Sequence, residues 1–314
     1  MERDFVAWLT RRQSPDPRLA AGLGDDAAVF SPFASGARLV AAVDAITDRV
    51  DFHIDATTPE AVGHKALGVN LSDLAAMAAA PLAYLAALVL PRDGGAGHDA
   101  AGLARGIHEG MARLAQRHGA VLAGGDTNTW DGPLAVSVTV LGLVGARGPL
   151  RRCGALPGDV LLVTGPLGGS LSGRHLAVAP RVSEMQELHG RHALHAAIDL
   201  SDGLALDASR LAEASGCGVE LDLAAIPVHD DARAMAQKSG RSPLQHALGD
   251  GEDFEILIAA PADQVAAILS APPSGLRIAA IGRCVPEAGL WQRDAQGNRS
   301  PLPATGYEHQ GRTP

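Results

Sequence analysis

The chain has 314 residues, long enough for two domains and a substantial core, and 26 Lys and Arg against 35 Asp and Glu leave a formal net charge of −9. No basic run interrupts this balance, so a nucleic-acid partner held by clustered Lys and Arg is excluded. Cys153, Cys217 and Cys284 lie far apart with no Cys-x-x-Cys, which points to reduced thiols and not to a disulfide framework.

In chain order, the N-terminus MERDFVAWLTRRQ lacks the apolar core of a signal peptide, and a cytoplasmic protein is expected. Leu39 to Val43 reads as a short strand ending at Asp44. Thr58-Pro59-Glu60 starts a helix, a cap residue followed by Pro at the first helical position, and Pro81 is expected to stop it near Ala80. The apolar stretch Leu67 to Leu90 is interrupted by Asn70, Asp73 and Pro81, so it does not span a membrane. A second helix runs from about Asp99 to His118 and closes on Gly119. Val121 to Ala123 is a strand leading into Gly124-Gly125-Asp126, and Leu134 to Val144 alternates as a long strand.

The Gly/Arg/Pro-rich passage Gly145 to Gly158 breaks the pattern and divides the chain into domains at 1–148 and 149–314. Beyond it, strands are expected at Val160–Thr164, His195–Ile198, Val219–Leu223, Phe254–Ala259 and Ile278–Ile281. Helices are expected at Leu204–Ser215, closed by Gly216, and at Asp263–Ser270. Strands alternating with helices make the class α/β.

The chemistry lies in the aspartates. They occur in Gly24-Asp25-Asp26, Val43-Asp44, Leu71-Ser72-Asp73, Gly124-Gly125-Asp126, Asp199-Leu200-Ser201-Asp202-Gly203 and Gly251-Glu252-Asp253. Most follow an apolar run, which places the carboxylates at strand ends, where α/β sheets gather ligands. A single Asp at a turn is as readily an Asx-turn or a helix cap, as read for Asp99 and Asp230. The set is different, because the like charges of Asp25-Asp26 and Asp199-x-x-Asp202 are costly together without a cation. Hard oxygen donors without nearby His or Cys favour Mg²⁺ over zinc, and Mg²⁺ implies phosphate.

Other motifs carry less. Gly165-Pro166-Leu167-Gly168-Gly169-Ser170 is equally a phosphate-cradling loop and a flexible turn, since it lacks the Gly-Lys-Ser/Thr ending of a P-loop. His189, His192 and His195 are spaced by three, but the segment shows no helical apolar face and reads as a surface loop more than as a zinc site. Ser72, Ser170 and Ser201 have no His beside them, so acyl transfer is unsupported.

Six blocks, GLGDDAAV (22–29), KALGVNLSDLAAM (65–77), LAGGDT (122–127), RCGALPGD (152–159), IDLSDGLALD (198–207) and GDGEDFEIL (249–257), cover nearly the whole chain. In this order they resemble the thiamine-monophosphate kinases of the aminoimidazole ribonucleotide synthetase-like superfamily. The resemblance implies two α/β domains with mixed sheets, the N-terminal strands pairing across a homodimer. It also implies ATP- and Mg²⁺-dependent phosphorylation of thiamine monophosphate to thiamine diphosphate.

By the same resemblance Asp26, Asp44, Asp73, Asp126, Asp199 and Asp202 match metal-binding acids. Gly125, Asp126, Arg152 and Ser201 match ATP contacts, while Glu252 and Tyr307 match substrate contacts. The chain departs from the family at three places. Ala42-Val43 replaces a hydroxyl pair, leaving a backbone metal contact at Val43. Asp51-Phe52, with His53 two places on, replaces a His-Phe, so Asp51 and His53 are both candidates for that substrate contact. His108 stands where a Tyr meets the nucleotide. Another ATP-dependent enzyme of the superfamily, or a nucleotide-binding regulator without catalysis, are the alternatives.

Overall fold

The computed structural model describes residues 19–21, 27–30 and 38–308; Asp25 and Asp26 lie outside these. Two sheets carry the fold. The first holds β1 (Leu19–Ala21), β2 (Ala28–Phe30), β3 (Arg38–Thr47), β4 (Ala80–Pro91), β5 (Val121–Trp130) and β6 (Ala135–Val144), in the order β1-β2-β3-β6-β4-β5. Its neighbours are antiparallel except β4 and β5, which are parallel and joined through helix α2 (Ala100–His118). The period-2 pattern of β6 buries Val136, Val138 and Val140, while Ser137 and Thr139 are only half-buried.

Helix α1 (Pro59–Ala76) lies between the sheets. It starts as expected, with Thr58 accepting a hydrogen bond from Ala61 N–H at 3.2 Å and Pro59 following. Residues 65–72 are buried without a break, the mark of a helix enclosed on all sides. Its contact with α2 is backbone to backbone. A Cβ on Gly63 would lie 1.9 Å from the Ile107 carbonyl oxygen, and one on Gly110 1.9 Å from that of Glu60. Pro81 does not end the helix. Met77 caps it, Ala78 turns at φ 53°, and Pro81 falls in β4 beside a bulge, a strand position that tolerates a missing N–H. Helix α2 has the expected ends, with Asp99 capping Gly102 N–H at 2.7 Å and Gly119 at φ 72°.

The second sheet holds β7 (Val160–Val163), β8 (Ala196–Asp199), β9 (Gly218–Asp222), β10 (Ile256–Ala260), β11 (Ala279–Val285), β12 (Gly289–Arg293) and β13 (Arg299–Pro301), in the order β13-β12-β9-β11-β7-β10-β8. Helices α3 (Val182–Arg191), α4 (Leu204–Ser215), α5 (Asp230–Ser239), α6 (Pro243–Gly249) and α7 (Ala262–Ser270) accompany it. Asp230 is the first residue of α5, not its cap; His229 Nδ1 takes the Asp231 N–H at 3.0 Å. One apolar core spans both halves, with Leu67, Leu71 and Leu74 of α1 in the same cluster as Met185, Leu188, Ile256 and Ile258. That packing sets α1 against the C-terminal end of β8, where the acids meet.

Candidate active site

Two acids, Asp44 of β3 and Asp199 of β8, meet the turn of α1 that carries Asp73. Among the described residues β2 pairs with β3 as far as Ala41, and beyond it the Asp44 N–H donates to Asn70 Oδ1 at 3.0 Å. Asn70 Nδ2 donates to the Ala66 carbonyl at 2.9 Å, which aims the amide. Two residues on, Ser72 Oγ donates to Asp199 Oδ2 at 2.8 Å in a fully buried contact. Asp73 follows directly and is half-buried. Asp199 ends β8 as expected and is 2% exposed, whereas Asp44 and Asp126 lie within β3 and β5 and not at strand ends. The sheets run on past the acids because the residues after them still have strands to pair with.

A second group forms where the loop after β8 meets residues 250–255. Leu200 N–H donates to Glu255 O at 2.7 Å, Phe254 N–H to Leu200 O at 2.9 Å, and Glu252 N–H to Ser201 O at 2.6 Å. Asp202 is ion-paired with Arg210, which also reaches Asp207 Oδ1 at 2.9 Å. Asp207 Oδ2 accepts from the N–H groups of Asp202 and Gly203 at 3.0 and 3.1 Å. Burial, reinforced by the Asp202 charge, pushes the Asp207 carboxyl up to about 7 against the pull of Arg210 and Arg152. Tyr307 N–H donates to the Asp202 carbonyl at 2.9 Å, so the C-terminal segment brings its ring to this loop, 46% exposed. Ser201, Asp202, Glu252 and Tyr307 therefore stand together, with Arg152 close enough to act on Asp207.

Lys65 joins this group from α1. Fully buried, its Nζ donates to both Glu252 oxygens at 2.7 and 2.6 Å and to the Asp51 carbonyl at 2.6 Å. Burial holds the Glu252 carboxyl above its usual range; Lys65 opposes this, while Asp51 and Asp202 add to it. The Asp51 carboxylate caps its own turn, accepting from Thr47 N–H at 2.7 Å. His53 is exposed and precedes a short 3₁₀ turn, Ile54–Ala56.

The edge strand β5 carries the remaining candidates. It is exposed along its whole length. With Tyr84, His108 and Gln116, its first residues Val121 and Leu122 line a cavity of about 400 Å³. Gly125 sits where a Cβ would be 2.0 Å from the Ala86 carbonyl oxygen, so no side chain fits. The cross-strand register puts Gly125 in the row of Ala86, Val138 and Asp44, and Asp126 in the next row with Ala87, Ser137 and Ala45. Successive rows face opposite sides of a sheet, so Asp126 is set apart from the Asp44 group. Val43, 62% exposed, shares a row with Thr139 and Leu85.

The glycine loop after β7 is a packed turn. Gly168 N–H donates to both Asp253 oxygens at 2.9 Å, and Gly169 N–H to Asp250 Oδ2 at 3.4 Å. A Cβ on Gly168 would lie 2.6 Å from Ala247 N. Acceptors within the protein occupy these N–H groups, so they do not cradle a phosphate. The three histidines diverge as well: His189 bonds Gly148 O, His192 Gln264 and His195 Asp159. The segment of the three histidines is not all loop, because His189 sits in the last turn of α3.

Sequence reasoning missed Lys65, Asn70 and Ser72 as site residues, although all three lie in one quoted block. The signal was present: they are the three polar residues of the otherwise apolar run 65–72, and all three are buried. Arg210 and Asp207 were missed because their roles depend on how the 199–203 loop folds back.

Residues 24–144 match the family described as AIR synthase related protein, N-terminal domain, and residues 157–290 match the corresponding C-terminal domain. A thiamine-monophosphate kinase of Rhodopirellula baltica is 42% identical over 98% of this chain and 97% of its own length. The chain belongs to the thiamine-monophosphate kinase family. Among solved structures, AaThiL complexed with AMPPCP and TMP superposes with a TM-score of 0.83 at 26% identity, covering 98% of this chain and 97% of that one. The thiamine-monophosphate kinase of Stenotrophomonas maltophilia K279a gives 0.72 at 30% identity, covering 92% and 94%. The two-domain α/β fold of this kinase family is the fold described above.

Magnesium fits the donor set of the site. Asp44, Asp73, Asp199 and Asp202 offer only carboxylate oxygen, the ligand hard cations take. Among the described residues no three His, Cys, Asp or Glu side chains close into a group able to hold a metal. Mg²⁺ does not require one, since it commonly binds one or two carboxylates, several waters and the oxygens of a bound phosphate.

Proposed function

We propose that this chain transfers the γ-phosphoryl group of ATP to the phosphate of thiamine monophosphate, forming thiamine diphosphate and ADP. The 42% identity to a thiamine-monophosphate kinase over nearly the full chain carries this reading. The convergence of Asp44, Asp73 and Asp199 on one turn of α1 supports it. The acceptor is already an ionised phosphate, so the reaction needs no strong general base. Its difficulty is bringing two anions into line. Magnesium held by Asp44, Asp73, Asp199 and Asp202 would screen that repulsion and the charge on the transferring group, and the family resemblance gives Asp26, Asp126 and the Val43 carbonyl further metal contacts, Asp126 from the other face of the first sheet.

The chain's own residues divide the remaining work. Gly125 and the β5 backbone, Arg152 and Ser201 hold the nucleotide, and His108 lays a flat ring against the base in the cavity it shares with Tyr84. Glu252 and Tyr307 receive the acceptor, with Asp51 or His53 beside them; a carboxylate there complements the cationic thiazolium ring. The protein works in the cytoplasm as two domains divided within 145–158. It forms a homodimer through the open face of the first sheet, where Val43, Leu85 and Leu143 are exposed.

Two outcomes follow. Purified protein given ATP, Mg²⁺ and thiamine monophosphate forms thiamine diphosphate, and chelating the metal stops it. ATP binding without product would instead favour the non-catalytic regulator. Light scattering gives twice the chain mass, and Leu85→Glu with Leu143→Glu gives the single-chain mass; a monomeric wild type would overturn the dimer.

A further inference from the structure

Lys65 is a fully buried cation whose three N–H donors are all used, two on Glu252 and one on the Asp51 carbonyl. Stability gives little reason for it, because apolar side chains of similar volume commonly replace a buried ion pair without loss. The partner is placed with equal care. Glu252 takes φ 55°, a left-handed conformation costly for a residue with a side chain, between Gly251 at 74° and Phe254 at 50°. Hydrogen bonds from Glu252 N–H to Ser201 O and from Phe254 N–H to Leu200 O hold that strained turn in place. The ion pair also has two different ends: the Lys65 side chain is 0% exposed and that of Glu252 22%. One end is locked in the core, and the other opens beside Ser201 and the Tyr307 segment.

We propose that Lys65 is a positioning residue for the acceptor. It does not touch thiamine monophosphate; it holds the Glu252 carboxylate in place through both of its oxygens. Through the Asp51 carbonyl it ties the loop between β3 and α1 to the same point. Without that cation, Glu252 would sit in a buried place among the like charges of Asp51 and Asp202 and turn away or take up a proton. This inference rests on reading Glu252 as an acceptor contact.

Steady-state kinetics of wild type, Lys65→Met, Glu252→Gln and the double variant test it. In Lys65→Met the KM for thiamine monophosphate rises about 30-fold, while the KM for ATP changes by less than about threefold. The double variant is no worse than Lys65→Met, because both changes act through one contact. A parallel rise of both KM values, or additive losses in the double variant, would overturn the proposal. Should Lys65→Met fail to fold, Glu252→Gln decides alone: it keeps an acceptor for Lys65, and an unchanged KM for thiamine monophosphate refutes the role. A wild type that forms no thiamine diphosphate would refute the assigned reaction instead.

Discussion

Asp199→Asn and Asp73→Asn each lower the turnover of thiamine monophosphate by about 10³-fold, equivalent to about 4 kcal/mol of lost transition-state stabilisation. The substitutions keep side-chain volume, remove the negative charge and turn one acceptor oxygen into an N–H donor. An Asn at 199 still offers an oxygen to Ser72 Oγ, the contact now made at 2.8 Å, so the junction of α1 with β8 stays closed. What is lost is the anionic oxygen that a hard cation requires. Thermal denaturation separates the two effects. Each variant keeps the melting temperature of the free wild type but loses most of the increase that Mg²⁺ with ATP confers, since ligand binding raises stability as the logarithm of ligand concentration over Kd. Wild-type turnover in both variants would remove these residues from the metal site.

Gly63→Ala and Gly110→Ala destabilise the fold by about 3 kcal/mol or more, lowering the melting temperature on the order of 10 °C. The cause is the backbone contact of α1 with α2. An added Cβ at Gly63 meets the Ile107 carbonyl oxygen at 1.9 Å, its carbon at 2.7 Å and its Cα at 2.9 Å. At Gly110 the Glu60 carbonyl oxygen stands at 1.9 Å. Backbone cannot rotate away as a side chain does, so the helices must move apart along a buried seam. That movement also displaces the 65–73 stretch, and turnover falls with stability. Gly119→Ala is the control. There φ is 72° but nothing lies within 4 Å of an added Cβ, so the cost is only the left-handed conformation, about 1 kcal/mol. Equal melting temperatures for Gly63→Ala and Gly119→Ala would refute this account of the seam.

Much of the fold was legible where a local rule operates. Pro59 after Thr58, Asp99 before α2, Gly119 after it and Gly216 after α4 each mark an end that short-range sterics and hydrogen bonding require. The period-2 pattern likewise announced β6. Three helices escaped. In α3 no side-chain cap forms, and in α5 the cap is His229, an unusual choice. For α6 the signal was present, since Ser242 and Gln245 form a capping box around Pro243. β4 was hidden because its apolar run continues directly from α1, and an apolar run alone does not reveal its period.

By itself the sequence determined the class of chemistry: carboxylates in ordered blocks and the marks of one kinase family point to phosphoryl transfer. It also determined the start of α1, both ends of α2 and the end of α4, because a cap acts only on its neighbours. Only the tertiary structure decided which polar residues serve the site. Ser72 meets Asp199 across 127 positions, and Lys65 meets Glu252 across 187. It also showed that Gly168 and Gly169 pack against protein acids instead of facing a phosphate. Such pairings arise when an apolar helix is buried between two sheets and its few polar groups must find partners there, a requirement no stretch of neighbouring residues expresses.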